Sequence, residues 1–178
     1  MKYPTVFHLI SAISKEAGIS CILIGGFAVN YYKYTRQTAD VDFLITKEDF
    51  KKISGSLGKA GYKQDYTQEV FTRLKSNKLY LMDIDFVFVD KETITEIMKN
   101  GKESTIAEQK FIVPSLHNLI ALKLHSIKYN PKIRESRDLP DIINLIRINK
   151  INFNGKDFRE LCLKYGTNEI YNKILDGI

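Results

Sequence analysis

Apolar residues Val6, Leu9, Ile10 and Ile13 recur at helical spacing behind Pro4, and Gly18 follows them as a stop, so the pattern predicts an opening helix. Residues 20–24 read as a short buried strand, the pair Gly25-Gly26 punctuates it, and 27–34 read as a short helix. Asp40–Ile45 alternates and is rich in Val, Phe and Ile, which predicts a second strand. Residues 47–57 are helical in pattern, with Phe50, Ile53 and Leu57 on one side. Residues 61–66 and 69–74 pair as a hairpin, and 79–89 form the longest strand of the chain. From Pro114 the texture changes to helices over 115–128, 138–149, 155–165 and 167–175, with Pro140 in the first turn of its helix. The fold class is therefore α+β. A mixed β-sheet with helices on one face is expected over residues 1–112, and a C-terminal helical subdomain packed on that core over 113–178.

Composition narrows the class without changing the fold. The chain has 178 residues, 44% of them hydrophobic and 27% charged, with only four Pro, which suits a globular protein with a proper core and excludes a disordered tail. Cys21 and Cys162 lie far apart in apolar patterns and build neither a disulfide framework nor a zinc site. The N-terminus is amphipathic, and no apolar run approaches the roughly 20 residues needed to cross a bilayer, so a cytoplasmic location with no membrane partner is expected. The net charge of +6 suits attraction of polyanions such as nucleotides or RNA and equally suits an ordinary solvated surface, so charge alone does not choose between them.

Chemistry concentrates in a few positions. Asp40 and Asp42 stand two apart on one strand, so they share a face with their Cα atoms roughly 7 Å apart. Two like charges so placed repel, and a hard divalent cation between them turns repulsion into coordination. A third carboxylate is available on the strand Met82 to Val89, where alternation puts Met82, Ile84, Phe86 and Phe88 on one face and Asp83 and Asp85 together on the other. Either aspartate can serve. Gly25 and Gly26, between a strand and a helix, allow backbone N–H groups to approach a phosphate closely.

Further candidates surround this core. Arg36 and Thr38 precede the aspartates in a loop, and the Arg36 fork suits a phosphate or an acceptor, while Thr38 shapes the loop. Tyr31, Tyr32 and Tyr34 read as packing, although such rings can also stack a base. Lys123 falls in register with Leu116, Leu119, Ile120 and Ile127, so it is either drawn inward to a partner such as a triphosphate, Asp138 or Asp141, or it snorkels from the stripe's edge. Arg134, Arg137, Asp138 and Asp141 read as a charged cluster opening a helix, with Asp141 as a dipole complement. His8, His117 and His125 have no ligand spacing and read as structural or exposed.

Gly25-Gly26-Phe27-Ala28-Val29-Asn30, followed by Arg36-Gln37-Thr38-Ala39-Asp40-Val41-Asp42-Phe43, resembles the signature of the DNA polymerase beta-like nucleotidyltransferase superfamily, in its minimal, AbiEii-like toxin branch. Asp85 and its apolar neighbours resemble the family's third carboxylate, and Lys123 and the segment from Arg137-Asp138 to Asp141 resemble the branch's C-terminal motifs. The resemblance implies a nucleotidyltransferase palm in which Asp40, Asp42 and Asp85 hold Mg²⁺, or Mn²⁺ in its place. It implies that Gly25 and Gly26 contact the triphosphate of an NTP, that Asp85 activates an acceptor hydroxyl, and that Arg36, Thr38, Lys123 and Asp138 contribute to substrate binding. NMP would pass to an acceptor such as a tRNA 3′ end or a protein, with release of pyrophosphate, and a cognate antitoxin would be the partner. An antibiotic-modifying nucleotidyltransferase and a non-catalytic nucleotide-binding relative are the alternatives, and a DNA-binding domain is disfavoured because no helix-turn-helix or basic helix stands out.

Overall fold

Val41, Phe43 and Ile45 are fully buried, whereas Asp40 and Asp42 are only partly so, which is what alternation demands of a strand with one apolar face. This strand, β2 (Asp40–Ile45), lies near the middle of a seven-stranded mixed sheet in the structure, a computed structural model that describes residues 3–178. The other strands are β1 (Ile22–Leu23), β3 (Tyr62–Gln68), β4 (Phe71–Ser76), β5 (Asp83–Phe88), β6 (Lys102–Ile106) and β7 (Gln109–Val113), in the order β3-β4-β5-β2-β1-β7-β6. β2 runs parallel to β5 and antiparallel to β1. The parallel register sets Asp42 beside Asp85 and Phe43 beside Phe86.

Helices α1 (Val6–Ala17) and α3 (Lys47–Ala60) pack on each other and on β7 and β3 respectively. Phe50 of α3 meets Phe86 and Phe88 at ring-centroid distances of 5.2 Å, and Phe43 meets Phe86 at 6.0 Å and Phe111 at 5.7 Å. The apolar side of the sheet is thus closed by aromatic contacts. Both helices carry the expected signals: Thr5 and Thr46 cap their N-termini, and Gly18 and Gly61 end them in the left-handed conformation.

The chain forms two compact units. One runs to Ala28 and resumes over Gln37–Ser115, and the other joins Val29–Arg36 to Leu116–Ile178. The second unit is built on α5 (Leu116–Tyr129), which packs on α6 (Pro131–Asn149) and α7 (Lys156–Tyr165), while α8 (Asn168–Gly177) packs on α6 and α7. Leu119, Ile120, Leu124 and Ile127 of α5 and Ile142, Leu145 and Ile146 of α6 are fully buried, with Cys162 and Ile174.

Several elements depart from the sequence-based expectation. The short helix α2 (Gly25–Tyr31) begins at the glycines rather than after them. The long strand expected over 79–89 shortens to β5, because Leu79 is fully exposed and Leu81 closes a turn onto the Lys78 carbonyl. α6 starts at Pro131, which occupies the first turn, and Pro140 lies inside the helix on its exposed side. A helix interior tolerates proline there because the carbonyl it leaves without an N–H partner faces water. Helix α4 (Lys91–Asn100) and the β6–β7 hairpin carry weak patterns, and the hairpin turns through Ala107 and Glu108, both at positive φ without a glycine. No described helix is long and apolar enough to cross a membrane.

Phe86 joins the aromatic contacts of β2 and α3, so Phe86→Ala should lower the stability of the sheet unit by roughly 3–5 kcal/mol, read by urea denaturation.

Candidate active site

Asp40 and Asp42 leave β2 on the face opposite Phe43, and the parallel pairing with β5 adds Asp85 to that face. Gly25, at φ 63°, lies directly against the Asp42 carboxylate, so any Cβ there would overlap it. Only glycine fits this position, by both conformation and space. A Cβ on Gly26 would stand 2.7 Å from the Thr38 Cβ. The Thr38 hydroxyl donates to Asp40 Oδ1 at 3.0 Å and to the Asp40 carbonyl at 3.1 Å, orienting the first carboxylate.

The sheet brings in a residue that the sequence pattern did not single out. Arg73 of β4 sits directly opposite Asp85 in the antiparallel β4–β5 pair. Its Nε donates to Asp85 Oδ1 at 2.7 Å, its Nη2 donates to Asp85 Oδ2, and the same Nη2 reaches Asp40 Oδ2 at 3.3 Å. The hydrogen bond to Asp85 raises the guanidinium pKa above its ordinary value, with the charges of Asp85, Asp40 and Asp42 adding to it. The available signal was the hairpin register, which puts Arg73 on the carboxylate face between Thr72 and Leu74, both buried on the other side.

Asp83 shares the strand face of Asp85 but is used differently. Its Oδ1 accepts the backbone N–H of Ser76 at 3.0 Å, fixing the end of β4. Asp85 is the more deeply buried of the pair.

Among the described residues no three His, Cys, Asp or Glu side chains converge on a point that could hold a metal ion. The donor set nevertheless suits one, because three carboxylates supply only hard oxygen atoms. The Arg73 guanidinium bridges Asp40 and Asp85, so positive charge already stands among these oxygens.

A second charged cluster lies within the helical unit. Lys123 turns inward, 5% exposed, and its Nζ donates to Asp138 Oδ1 at 2.8 Å and to Asp141 Oδ2 at 2.7 Å. Asp138 also accepts from Arg134 Nε at 2.9 Å, and Asp141 accepts from Arg36 Nη2 at 3.1 Å. Burial opposes the ionisation of Asp138, but Lys123 and Arg134 outweigh it and hold the carboxyl below its ordinary pKa. Asp138 and Asp141 therefore do not open a helix as dipole complements. They sit mid-helix in α6 because that helix begins seven residues earlier, at Pro131. Arg36 spends its fork on Asp141, and the ammonium of Lys123 is shared by two carboxylates, leaving three cations against two anions in the network.

His8 forms a hydrogen bond through its ring to Thr5 at 2.9 Å within the α1 cap, and exposed His125 packs against Tyr129 with the rings tilted by 42°, so both behave as structural or exposed residues. Tyr31 and Tyr32 pack edge to face, 5.1 Å between centroids.

Residues 9–175 match the model of the family described as AbiEii, nucleotidyl transferase AbiEii toxin, type IV toxin-antitoxin system. Similar solved structures include the antibiotic-resistance factor ANT(2'')-Ia in solution, with a TM-score of 0.65 and 15% identity over 95% of this chain and 92% of that one. The lincomycin-bound lincosamide antibiotic adenylyltransferase LnuA gives 0.54 and 18% identity over 78% and 93%. An antigenic nucleotidyltransferase-like protein from Paracoccidioides brasiliensis gives 0.51 and 18% over 94% and 89%. At these identities the likeness establishes the α+β fold alone. No curated protein matches the chain.

Lys123→Met leaves two buried carboxylates with one guanidinium each and should destabilise the helical unit by roughly 3–5 kcal/mol in thermal or urea unfolding. Asp138 contributes stability that is present above its unfolded pKa, near about 4, and is lost as pH falls through its lower folded value. An acid titration of wild type should therefore show this loss below about pH 4, and Asp138→Asn should not show it.

Proposed function

We propose a reaction from a premise that the family match establishes: the chain belongs to the AbiEii nucleotidyltransferase family. The reaction is transfer of NMP from an NTP to an acceptor hydroxyl. The acceptor oxygen forms a bond to the α-phosphorus, the bond from that phosphorus to the bridging oxygen breaks, and pyrophosphate leaves. Asp40, Asp42 and Asp85 would hold Mg²⁺, or Mn²⁺ in its place, which would supply charge neutralisation on the triphosphate. Asp85 takes the proton of the attacking hydroxyl. Gly25 and Gly26 admit the triphosphate to their backbone N–H groups, and Thr38 keeps Asp40 in its rotamer. The Arg36, Lys123 and Asp138 network is internally paired and carries one surplus positive charge, which adds to the long-range attraction for an anionic substrate.

The acceptor is read from one observation. The helical unit holds thirteen Lys and Arg against seven Asp and Glu, whereas the sheet unit is balanced at fourteen of each, so the whole net charge of +6 belongs to the helices. A single-stranded RNA end suits such a surface, because phosphates pair with the cations and unstacked bases need ring faces. His125 and Tyr129 offer such faces, their rings 4.5 Å apart with Tyr129 71% exposed, beside exposed Lys128 and Lys132. Within a toxin-antitoxin system, modification of an RNA 3′ end would be the toxic act and an antitoxin the partner. The antibiotic adenylyltransferases share the fold, which makes a small-molecule acceptor the competing reading.

With Mg²⁺ and each α-labelled NTP in turn, label should appear on added tRNA with release of pyrophosphate, and Asp42→Asn should lower the rate by roughly 10²–10³-fold. Label on an added aminoglycoside or lincosamide, or on protein, with RNA left unmarked would reverse the choice of acceptor.

A further inference from the structure

We propose that Arg73 is the positioning residue of the third carboxylate and the cluster's own counter-cation, so that a divalent ion and the Arg73–Asp40 contact compete for Asp40. The inference rests on the metal-dependent reading of the same site.

The two contacts of Arg73 differ in kind. Toward Asp85 it is a cross-strand pair held by two hydrogen bonds, from Nε and from Nη2. Toward Asp40 it is a single, longer contact of 3.3 Å from an atom already engaged by Asp85. A bidentate fork is strong and directional, and a lone long contact is weak. An arriving ion that coordinates Asp40 therefore breaks the weaker contact and leaves the stronger one in place.

Burial makes the stronger contact necessary. Asp85 is 4% exposed, and an ionised carboxylate so buried needs a partner. Arg73 donates to both oxygens of the Asp85 carboxylate, and this fork fixes the plane of the carboxylate as well as compensating its charge. A base that must face a hydroxyl gains from such fixing. Arg73 itself is held by the register of β4 on β5, with Thr72 and Leu74 buried on either side, so its backbone cannot drift from Asp85.

Two opposite effects follow from removing the guanidinium. The cluster of Asp40, Asp42 and Asp85 loses a positive neighbour and binds a divalent ion more tightly, while Asp85 also loses the fork that orients it toward the hydroxyl and turnover falls. A residue that merely braced the fold would give the second effect without the first.

The test measures Mn²⁺ binding by electron paramagnetic resonance, without nucleotide, on wild type, Arg73→Gln and Arg73→Lys. Arg73→Gln should bind Mn²⁺ on the order of tenfold more tightly than wild type. Arg73→Lys keeps the charge and should stay within about threefold of wild type, yet lose roughly tenfold or more in kcat because it lacks the fork. As a measurement that needs no variant, the Arg73 Nε–H resonance of ¹⁵N-labelled wild type should shift on titration with Mg²⁺ and remain protected. Unchanged or weaker Mn²⁺ affinity in Arg73→Gln, or an unmoved Nε–H signal under saturating Mg²⁺, overturns the competition even if wild type releases pyrophosphate normally. Absence of pyrophosphate release from wild type that does bind Mn²⁺ overturns the transferase reading and leaves the competition measurable.

Discussion

Three carboxylates on one face of a sheet repel one another, and this face of the protein is organised around that repulsion. β2 supplies Asp40 and Asp42, and the parallel pairing with β5 delivers Asp85 level with Asp42. Such an arrangement is stable only with positive charge among the oxygens. In the structure the charge comes from Arg73, and the neighbouring backbone is shaped to the same end. Gly25 leaves room for the Asp42 carboxylate, and Thr38 ties down Asp40.

The helical unit solves a related problem in the opposite manner. Lys123, Asp138 and Asp141 are buried, and each is satisfied by charged partners on α5, α6 or the 29–36 segment. A buried ion network contributes little net stability, because desolvation offsets most of the attraction. It does penalise any slippage of α5 against α6, since a shift strands a charge. The unit's remaining cations are mostly at its surface, and they leave the sheet unit neutral and the helices basic.

Much of this was legible in the residues. Alternation placed Asp40–Ile45 on a strand with its aspartates on one face, helical periodicity found α1, α3, α5, α7 and α8, and the ordered Gly-Gly and Asp-x-Asp motifs pointed to the family that the chain matches. Periodicity also drew Lys123 inward, though it could not choose between burial and snorkelling. Local patterns failed where neighbours decide. The strand expected from residue 79 shortened because the exposed chain at Leu79 turns, and Pro140 was accepted inside α6 because its face meets solvent.

Sequence by itself determined the strongly periodic elements and the same-face aspartates, because each is written in spacings of two to four residues, and its ordered motifs pointed to the family. Tertiary structure alone decided which distant charges meet. Arg73 is twelve residues from Asp85 and reaches it only through the β4–β5 register, and Arg36 reaches Asp141 across 105 residues of chain. Periodicity reports which face a side chain takes, but a charge chooses its partner by distance in space, and pairing of strands and helices sets that distance.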